Sequence, residues 1–286
     1  MVEARPELEV RQPLPGPMVR VPLVRTDFEK NSMLSLIKKT VRKGLNHLGY
    51  EVHLLPKPGE APIPIEYASL LPFHYARYQP WFEDWISKEY SEIKNNTCCF
   101  PDHCYLVAKF SRSCLHLEGD FIECGTYRGG TAHLIASEIK STPSRPRELH
   151  LFDTFTGMPP QAVLDPSGHR EGDLGDVDFK AVQAFLKPFP FIRFHQGIIP
   201  ATFEAIQSKK FAFAHIDVDL YSSVMDSCQF LYERMTPGGI MVFDDYGFEK
   251  YRNSAKKAVD DFFRDKVESP IIMGTAQCIV IKSAVN

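Results

Sequence analysis

Five short apolar runs follow one another after Gly119: DFIECG from Asp120, ELHLFD from Glu148, FIRFHQG from Phe191, FAFAHID from Phe211 and GIMVFDD from Gly239. Between them lie stretches long enough for helices, and this βαβ rhythm predicts a parallel, doubly wound α/β sheet. The runs lack strict polar alternation, as expected of strands covered on both faces. In such sheets ligands sit beyond the carboxyl ends of the strands, where the strand order reverses. The residues at those ends therefore carry the functional question.

The 286 residues are 44% hydrophobic, enough for one substantial core and an appended smaller region. The expected division is a Pro-rich arm over 1–26, a helical or lid region over 27–95 and the α/β domain over 96–286. The net charge of -3, with Lys and Arg scattered, argues against a nucleic-acid surface and suits a small neutral or anionic partner. The opening MVEARPELEV lacks the apolar run of a signal peptide, and no stretch of about 18 apolar residues occurs. A soluble, cytoplasmic protein is expected. Cys98, Cys99 and Cys104 with His103 make no CxxC pair, so the seven cysteines are read as reduced thiols rather than a disulfide framework or zinc knuckle.

Pro6, Pro13, Pro15, Pro17 and Pro22 disfavour regular structure in the arm. Met33, Ile37, Val41 and Leu45 recur at helical spacing among Lys38, Lys39, Arg42 and Lys43. Residues 31–48 thus read as a basic amphipathic helix, either packed on its own domain, the preferred reading, or serving as a peripheral membrane foot or homo-oligomer contact. Prolines between Leu54 and Pro72 mark a linker. Residues 73–117, with Trp81, Trp85, Tyr90 and Tyr105, read as aromatic-rich helical segments that cover a site or form core.

The first strand exits as Glu123, Cys124, Gly125, Thr126, Tyr127, Arg128, Gly129 and Gly130, with a helix from about Thr131. Glycines here let backbone approach a ligand, and a helix start offers free N–H groups. The spacing GxxxGG with an acid before it departs from the dinucleotide fingerprint GxGxxG. An acid at this turn would repel a pyrophosphate but suits a ligand carrying an ammonium and a sulfonium.

The second run ends at Asp153, placed to accept ribose hydroxyls or to cap a following helix. The breaker-rich segment from Thr156 to Asp178 reads as an active-site lid. Asp217 and Asp219, two apart, can face one cleft, and Asp244 and Asp245 can converge if the strand breaks near Gly247. Four such carboxylates would raise one another's pKa unless a cation compensates. Oxygen-only ligands suit Mg²⁺ or Mn²⁺. The alternative is that some of these acids are caps, Asp219 ahead of a helix near Ser222 above all.

ECGTYRGG, LFDTFTGMP, FHQG followed by a proline, HIDVDLYSS and TPGGIMVFDDYG, in that order over about residues 100–286, resemble the macrocin O-methyltransferase family, metal-dependent sugar methyltransferases. The resemblance implies a Rossmann-like class I methyltransferase fold with a mostly parallel seven-stranded sheet and S-adenosylmethionine as cofactor. It implies that Glu123 and Gly125 lie against the methionine part and that Asp153 holds the ribose. Thr126, Tyr127, Arg128, Gly129, Gly130, Thr154 and Asp217 complete the implied cofactor contacts. Asp217, Asp244 and Asp245 would bind the metal, and Asp219 would be the general base. Val218 stands where the family often carries Gly, and Leu220 stands where catechol methyltransferases carry Lys. A sugar hydroxyl with a neighbouring hydroxyl is therefore the preferred acceptor. A catechol or other small acceptor and a non-catalytic S-adenosylmethionine-binding role are the alternatives.

Overall fold

The computed structural model describes residues 85–142, 145–160 and 165–284. The chain divides into two units, Met1–Ala76 and Arg77–Asn286, and every described residue belongs to the second. The expectations for the arm, the basic helix, the linker and Trp81 lie outside the described residues.

A turn of π-helix at Ile86–Tyr90 runs into Ser91–Ile93, and helix α1 follows at Pro101–Ser113. Pro101 opens α1 after an extended Phe100, a position where its missing N–H costs nothing. Trp85 and Ile93, on the N-terminal side of the expected boundary at 95/96, pack in one buried cluster with Cys104, Ala108 and Leu134. They are thus part of the same packed body as the sheet's helices.

The sheet has β1 at Asp120–Cys124, β2 at Leu149–Asp153, β3 at Ile192–Gln196, β4 at Phe211–Ile216 and β5 at Met235–Phe243, then β6 at Ile271–Ile272 and β7 at Cys278–Ile281. Their order is β3-β2-β1-β4-β5-β7-β6, with β1 to β5 parallel and β7 antiparallel to both its neighbours. All five expected runs are strands of this sheet. The interleaved helices are α2 at Gly130–Ser141, α3 at Phe179–Phe185, α4 at Tyr221–Tyr232 and α5 at Ala255–Phe263.

Successive strand residues point to opposite faces, and each face has its own core. Phe121, Leu149, Phe213 and Val242 pack with Val107 of α1 and Ile135 of α2. Ile122, Phe152, Ile216 and Phe243 pack with Leu231 of α4 and Val259 of α5 on the other face. Full burial of each such side chain contributes about 1.5–3 kcal/mol. These two layers explain the unbroken apolar runs and hold the carboxyl ends of β1 and β4 side by side at the switch point. Among the described residues no helix is long and apolar enough to cross a membrane.

Candidate active site at the strand tips

A cavity of about 560 Å³ opens at the ends of β1, β2, β4 and β5, a size typical of small-molecule sites. From the β1 side it is lined by Gly125, Thr126, Tyr127 and Thr131, and from β2 by Asp153 and Thr154. The turn after β1 is pinned from below, because Oδ2 of Asp153 accepts the N–H groups of Thr126 at 2.9 Å and Tyr127 at 2.8 Å. Its Oδ1 accepts the N–H of Phe155 at 2.7 Å. Asp153 is therefore not a helix cap. Its carboxylate shapes the loop, and any ribose hydroxyl would have to share it.

The glycines admit protein as much as ligand. A Cβ on Gly125, whose φ is +89°, would stand 1.7 Å from the carbonyl oxygen of Asp217, so the β1 turn and the β4 tip are in backbone contact. A Cβ on Gly130 would meet Thr97 at 2.7 Å, and the Gly130 N–H donates to the Asn96 carbonyl at 2.9 Å. That N–H of the α2 start is thus already satisfied. Thr126 Oγ1, by contrast, is buried without a hydrogen-bond partner beside the cavity, where a polar ligand would satisfy it.

The four aspartates converge in two overlapping groups that share Asp217. Asp217, Asp219 and Asp245 present ligand oxygens within 4.8 Å of one another, and so do the ligand atoms of Cys99, Asp217 and Asp244. Burial, then the charges of Asp244 and Asp219, push the Asp217 carboxyl well above its usual range. Burial, followed by the charges of Asp217, Asp219 and Asp244, pushes Asp245 up to about 11. Asp245 Oδ2 is buried with no hydrogen-bond partner. Carboxylates crowded in this way repel one another, and an oxygen-only set of this spacing fits a magnesium or manganese ion.

Asp219 is set apart by its partners. Burial would raise its pKa, but hydrogen bonds from His169 and Tyr251 hold it below the usual value. It takes the left-handed backbone, φ +56°, and does not cap α4, whose first N–H at Tyr221 instead donates to Oδ2 of Asp165 at 2.9 Å. Asp165 and His169 both lie in the segment predicted to be a lid. His169 Nε2 is 3.5 Å from Asp219 Oδ1 and 3.1 Å from the Tyr251 hydroxyl, and Lys250 Nζ approaches it to 2.8 Å.

Asp244 faces the other way. Its Oδ1 accepts from Gln277 Nε2 at 2.7 Å and lies 3.5 Å from His215 Nε2, while its Oδ2 is 2.9 Å from His103 Nδ1. Burial opposes its ionisation, yet the two histidines hold its pKa well below the usual range. His215 in turn bonds Oε1 of Glu123 through Nδ1 at 3.0 Å, Glu123 and His215 being aligned in the register of β1 and β4. A fully buried row of Glu123, His215 and Asp244, extended by His103, thus runs beneath the cavity.

Of the residues expected to meet a cofactor, Gly125, Thr126, Tyr127, Asp153, Thr154 and Asp217 line the cavity. Glu123, Arg128, Gly129 and Gly130 do not; Glu123 is turned to His215, and Arg128 reaches out to the Asp176 carbonyl at 3.1 Å. Asp217, Asp219, Asp244 and Asp245 all line it. His169, Lys250, Tyr251, Cys99 and His103 also belong to the lining and were not singled out as site residues from the sequence. A histidine inside a predicted lid and an aromatic-basic pair just after the Asp-Asp tip were the signals available.

A sequence profile of the Macrocin-O-methyltransferase (TylF) family matches residues 113–282. The 8-demethyl-8-(2,3-dimethoxy-alpha-L-rhamnosyl)-tetracenomycin-C 4'-O-methyltransferase of Streptomyces olivaceus is 27% identical over 146 residues, 48% of this chain and 56% of that protein. The demethyldecarbamoylnovobiocin O-methyltransferase of Streptomyces niveus is 26% identical over 157 residues, 51% of this chain and 59% of its own. The chain thus spans little more than half the length of these curated relatives. Among solved structures, the O-methyltransferase NovP superposes with a TM-score of 0.59 at 20% identity, covering 68% of this chain and 88% of that one. The calicheamicin methyltransferase CalS11 follows at 0.51 and 18%, covering 92% and 99%. These two likenesses concern the fold, which is that of class I methyltransferases.

Proposed function

The chain belongs to the macrocin O-methyltransferase (TylF) family, and from that premise we propose that it methylates a hydroxyl group of a sugar or sugar-bearing natural product, using S-adenosylmethionine and a divalent magnesium or manganese ion. The observation that carries the reading is the set of Asp217, Asp219 and Asp245 oxygens within 4.8 Å, with Asp245 Oδ2 left unpartnered, beside a cavity that reaches the β1 turn.

Thr126, Tyr127, Asp153 and Thr154 form the cofactor end of the cavity. S-adenosylmethionine supplies an electrophilic methyl group there. Asp217 and Asp245 would hold the ion, with Asp244 as the third carboxylate in the arrangement the family resemblance implies, which leaves Asp219, close to both Asp217 and Asp245, to act as the base. When bound, a hard divalent ion would polarise the acceptor hydroxyl and make its proton easier to remove. Asp219 takes that proton, since its bonds to His169 and Tyr251 keep it ionised in a buried setting. Holding donor and acceptor in one cleft would lower the barrier further, by up to about 7–11 kcal/mol in the best oriented cases.

Phe100, Leu174 and Ile198 are large, exposed and apolar, and all three line the cavity. They support an acceptor with an apolar body beside its sugar, in keeping with the tetracenomycin and novobiocin derivatives named for the relatives. Leu220, at the position of the catechol enzymes' Lys, is buried, which favours the sugar hydroxyl over a catechol. All seven cysteines are unpaired, which supports work in the reducing cytoplasm.

The test is incubation of the full chain with S-adenosylmethionine, Mg²⁺ and a panel of rhamnosides and other glycosides, read by mass spectrometry for a gain of one methylene. Chelation with EDTA should abolish the product and Mg²⁺ restore it. Full turnover in chelator would end the metal reading. A thermal shift with NAD but none with S-adenosylhomocysteine would end the cofactor reading.

A further inference from the structure

Gln277 is fully buried at the root of β7, ahead of the apolar run Cys278, Ile279 and Val280, and it stands behind Asp244 rather than in the cavity lining. A buried polar side chain costs stability unless its hydrogen bonds are made, and here they reach the site. Its Nε2 donates to Oδ1 of Asp244 at 2.7 Å and approaches the His103 carbonyl at 3.4 Å, while Oε1 accepts the Thr275 hydroxyl at 3.2 Å. An ionised carboxylate can only accept, so the donor end of the amide must face Asp244.

The turn that carries Gln277 is built against the β5 tip. Between β6 and β7 the Ala276 N–H donates to the Met273 carbonyl at 3.1 Å, and the Met273 N–H to the Gln277 carbonyl at 2.8 Å. The Ala276 carbonyl accepts the N–H of Gly247 at 2.7 Å, just beyond the Asp244 and Asp245 pair. A Cβ on Gly247 would stand 2.8 Å from Ala276, so turn and tip are in backbone contact. Ala276 itself takes φ +75°, a left-handed backbone that a residue other than glycine keeps only where its surroundings impose it. From α1, His103 brings Nδ1 to 2.9 Å from Oδ2 of Asp244. Each oxygen of Asp244 therefore has its own partner from a separate element, and together they set the plane of the carboxylate.

We propose that Gln277 is a positioning residue of the metal centre: with His103, it fixes the plane in which Asp244 meets an ion held by Asp217 and Asp245. The inference rests on the divalent-ion reading above. Asp244 and Asp217 already offer ligand atoms within 4.8 Å of each other. Carboxylates that ligate metals are themselves held by hydrogen bonds, and those outer donors tune the affinity. Without the Gln277 donor, Asp244 regains side-chain freedom that the ion has to remove on binding, at a loss of affinity.

Manganese ion alone, titrated into the metal-free full chain and followed by electron paramagnetic resonance, reads this directly. Gln277→Met, which keeps the length and removes the donor, should weaken manganese binding by about 10–100-fold. The spectrum of the manganese bound at saturation should also change shape, since one carboxylate is no longer held in a single plane. Gln277→Asn keeps an amide one methylene too short to reach Asp244, and should weaken binding in the same direction if Gln277→Met perturbs the fold. S-adenosylhomocysteine affinity by calorimetry should stay at the wild-type value in both, which shows them folded. Val280→Ala, in the core beside the same turn, should lower Tm and leave manganese affinity alone. Wild-type affinity in both Gln277 variants, or an equal loss in Val280→Ala, overturns the proposal and leaves the divalent-ion reading standing. A wild type that binds no manganese removes both.

Discussion

Replacing Asp245 by Asn should make the metal-free protein more stable, and the size of the gain follows from the position of that carboxyl. Asp245 is 8% exposed, its Oδ2 has no partner, and burial together with three neighbouring carboxylates pushes its pKa up to about 11. In the unfolded chain the same group titrates near 3.9, a typical value for aspartate. Between about pH 4 and about pH 11 the folded state therefore holds a proton that the unfolded state has released. The raised acid destabilises the fold in that window, by about 1.36 kcal/mol for each pH unit above the unfolded value. At about pH 7 the ceiling is about 4 kcal/mol, and partial water entry and relaxation bring the expected gain to about 2 kcal/mol. Asn keeps the shape and has no proton to hold. For a unit of this size the change raises Tm by roughly 4–8 °C. Thermal unfolding in chelator at about pH 5, 7 and 9 should show the gap between variant and wild type widening with pH. Added Mg²⁺ should raise the Tm of the wild type and leave Asp245→Asn unmoved. A variant less stable than wild type at every pH in chelator, with a constant gap, would refute the electrostatic reasoning.

Three further outcomes are expected. Asp219→Asn should lower kcat by roughly 10²–10⁴ while S-adenosylhomocysteine still binds in calorimetry, and a nearly normal kcat would remove Asp219 from the base role. Gly125→Ala sets a Cβ against the Asp217 carbonyl at a positive φ; the strained backbone alone should cost about 1–3 kcal/mol in a denaturant titration, and an unchanged midpoint would sink the backbone contact. His169→Ala removes the hydrogen bond that holds the Asp219 pKa down. The acid limb of the kcat/KM profile should move to higher pH, and a limb that stays put would show that another group sets it.

The sheet was legible because strands buried on both faces leave apolar runs that end abruptly, and those ends placed Asp153, Asp217, Asp219, Asp244 and Asp245 at the cavity. The glycines and prolines of 156–178 marked an irregular segment expected to be a lid, but not that His169 within it reaches Asp219. What could not be read locally was which way each acid turns. Asp244 is claimed by His103, 141 positions earlier, and by Gln277, 33 positions later, neither of which any spacing rule connects to it. Glu123 looked like a ligand contact because it precedes the glycine turn, but strand alignment sets it beside His215. The glycines of the turn were read as room for a ligand. Gly125, which does line the cavity, and Gly130 also make room for Asp217 and Asn96, contacts that arise only once the chain has folded.

The succession of Glu123, His215, Asp244 and His103 reads acid, base, acid, base from one neighbour to the next. Loss of an inner member, His215 or Asp244, leaves an end member of the row without this partner away from water, which makes the inner positions the costly ones to change. Phe100, Leu174 and Ile198 carry no such debt to their neighbours, since each is more than two-fifths open at the mouth. If the proposed function holds, acceptor preference would be set at this rim rather than in the row beneath it, and retargeting by design would begin with those three.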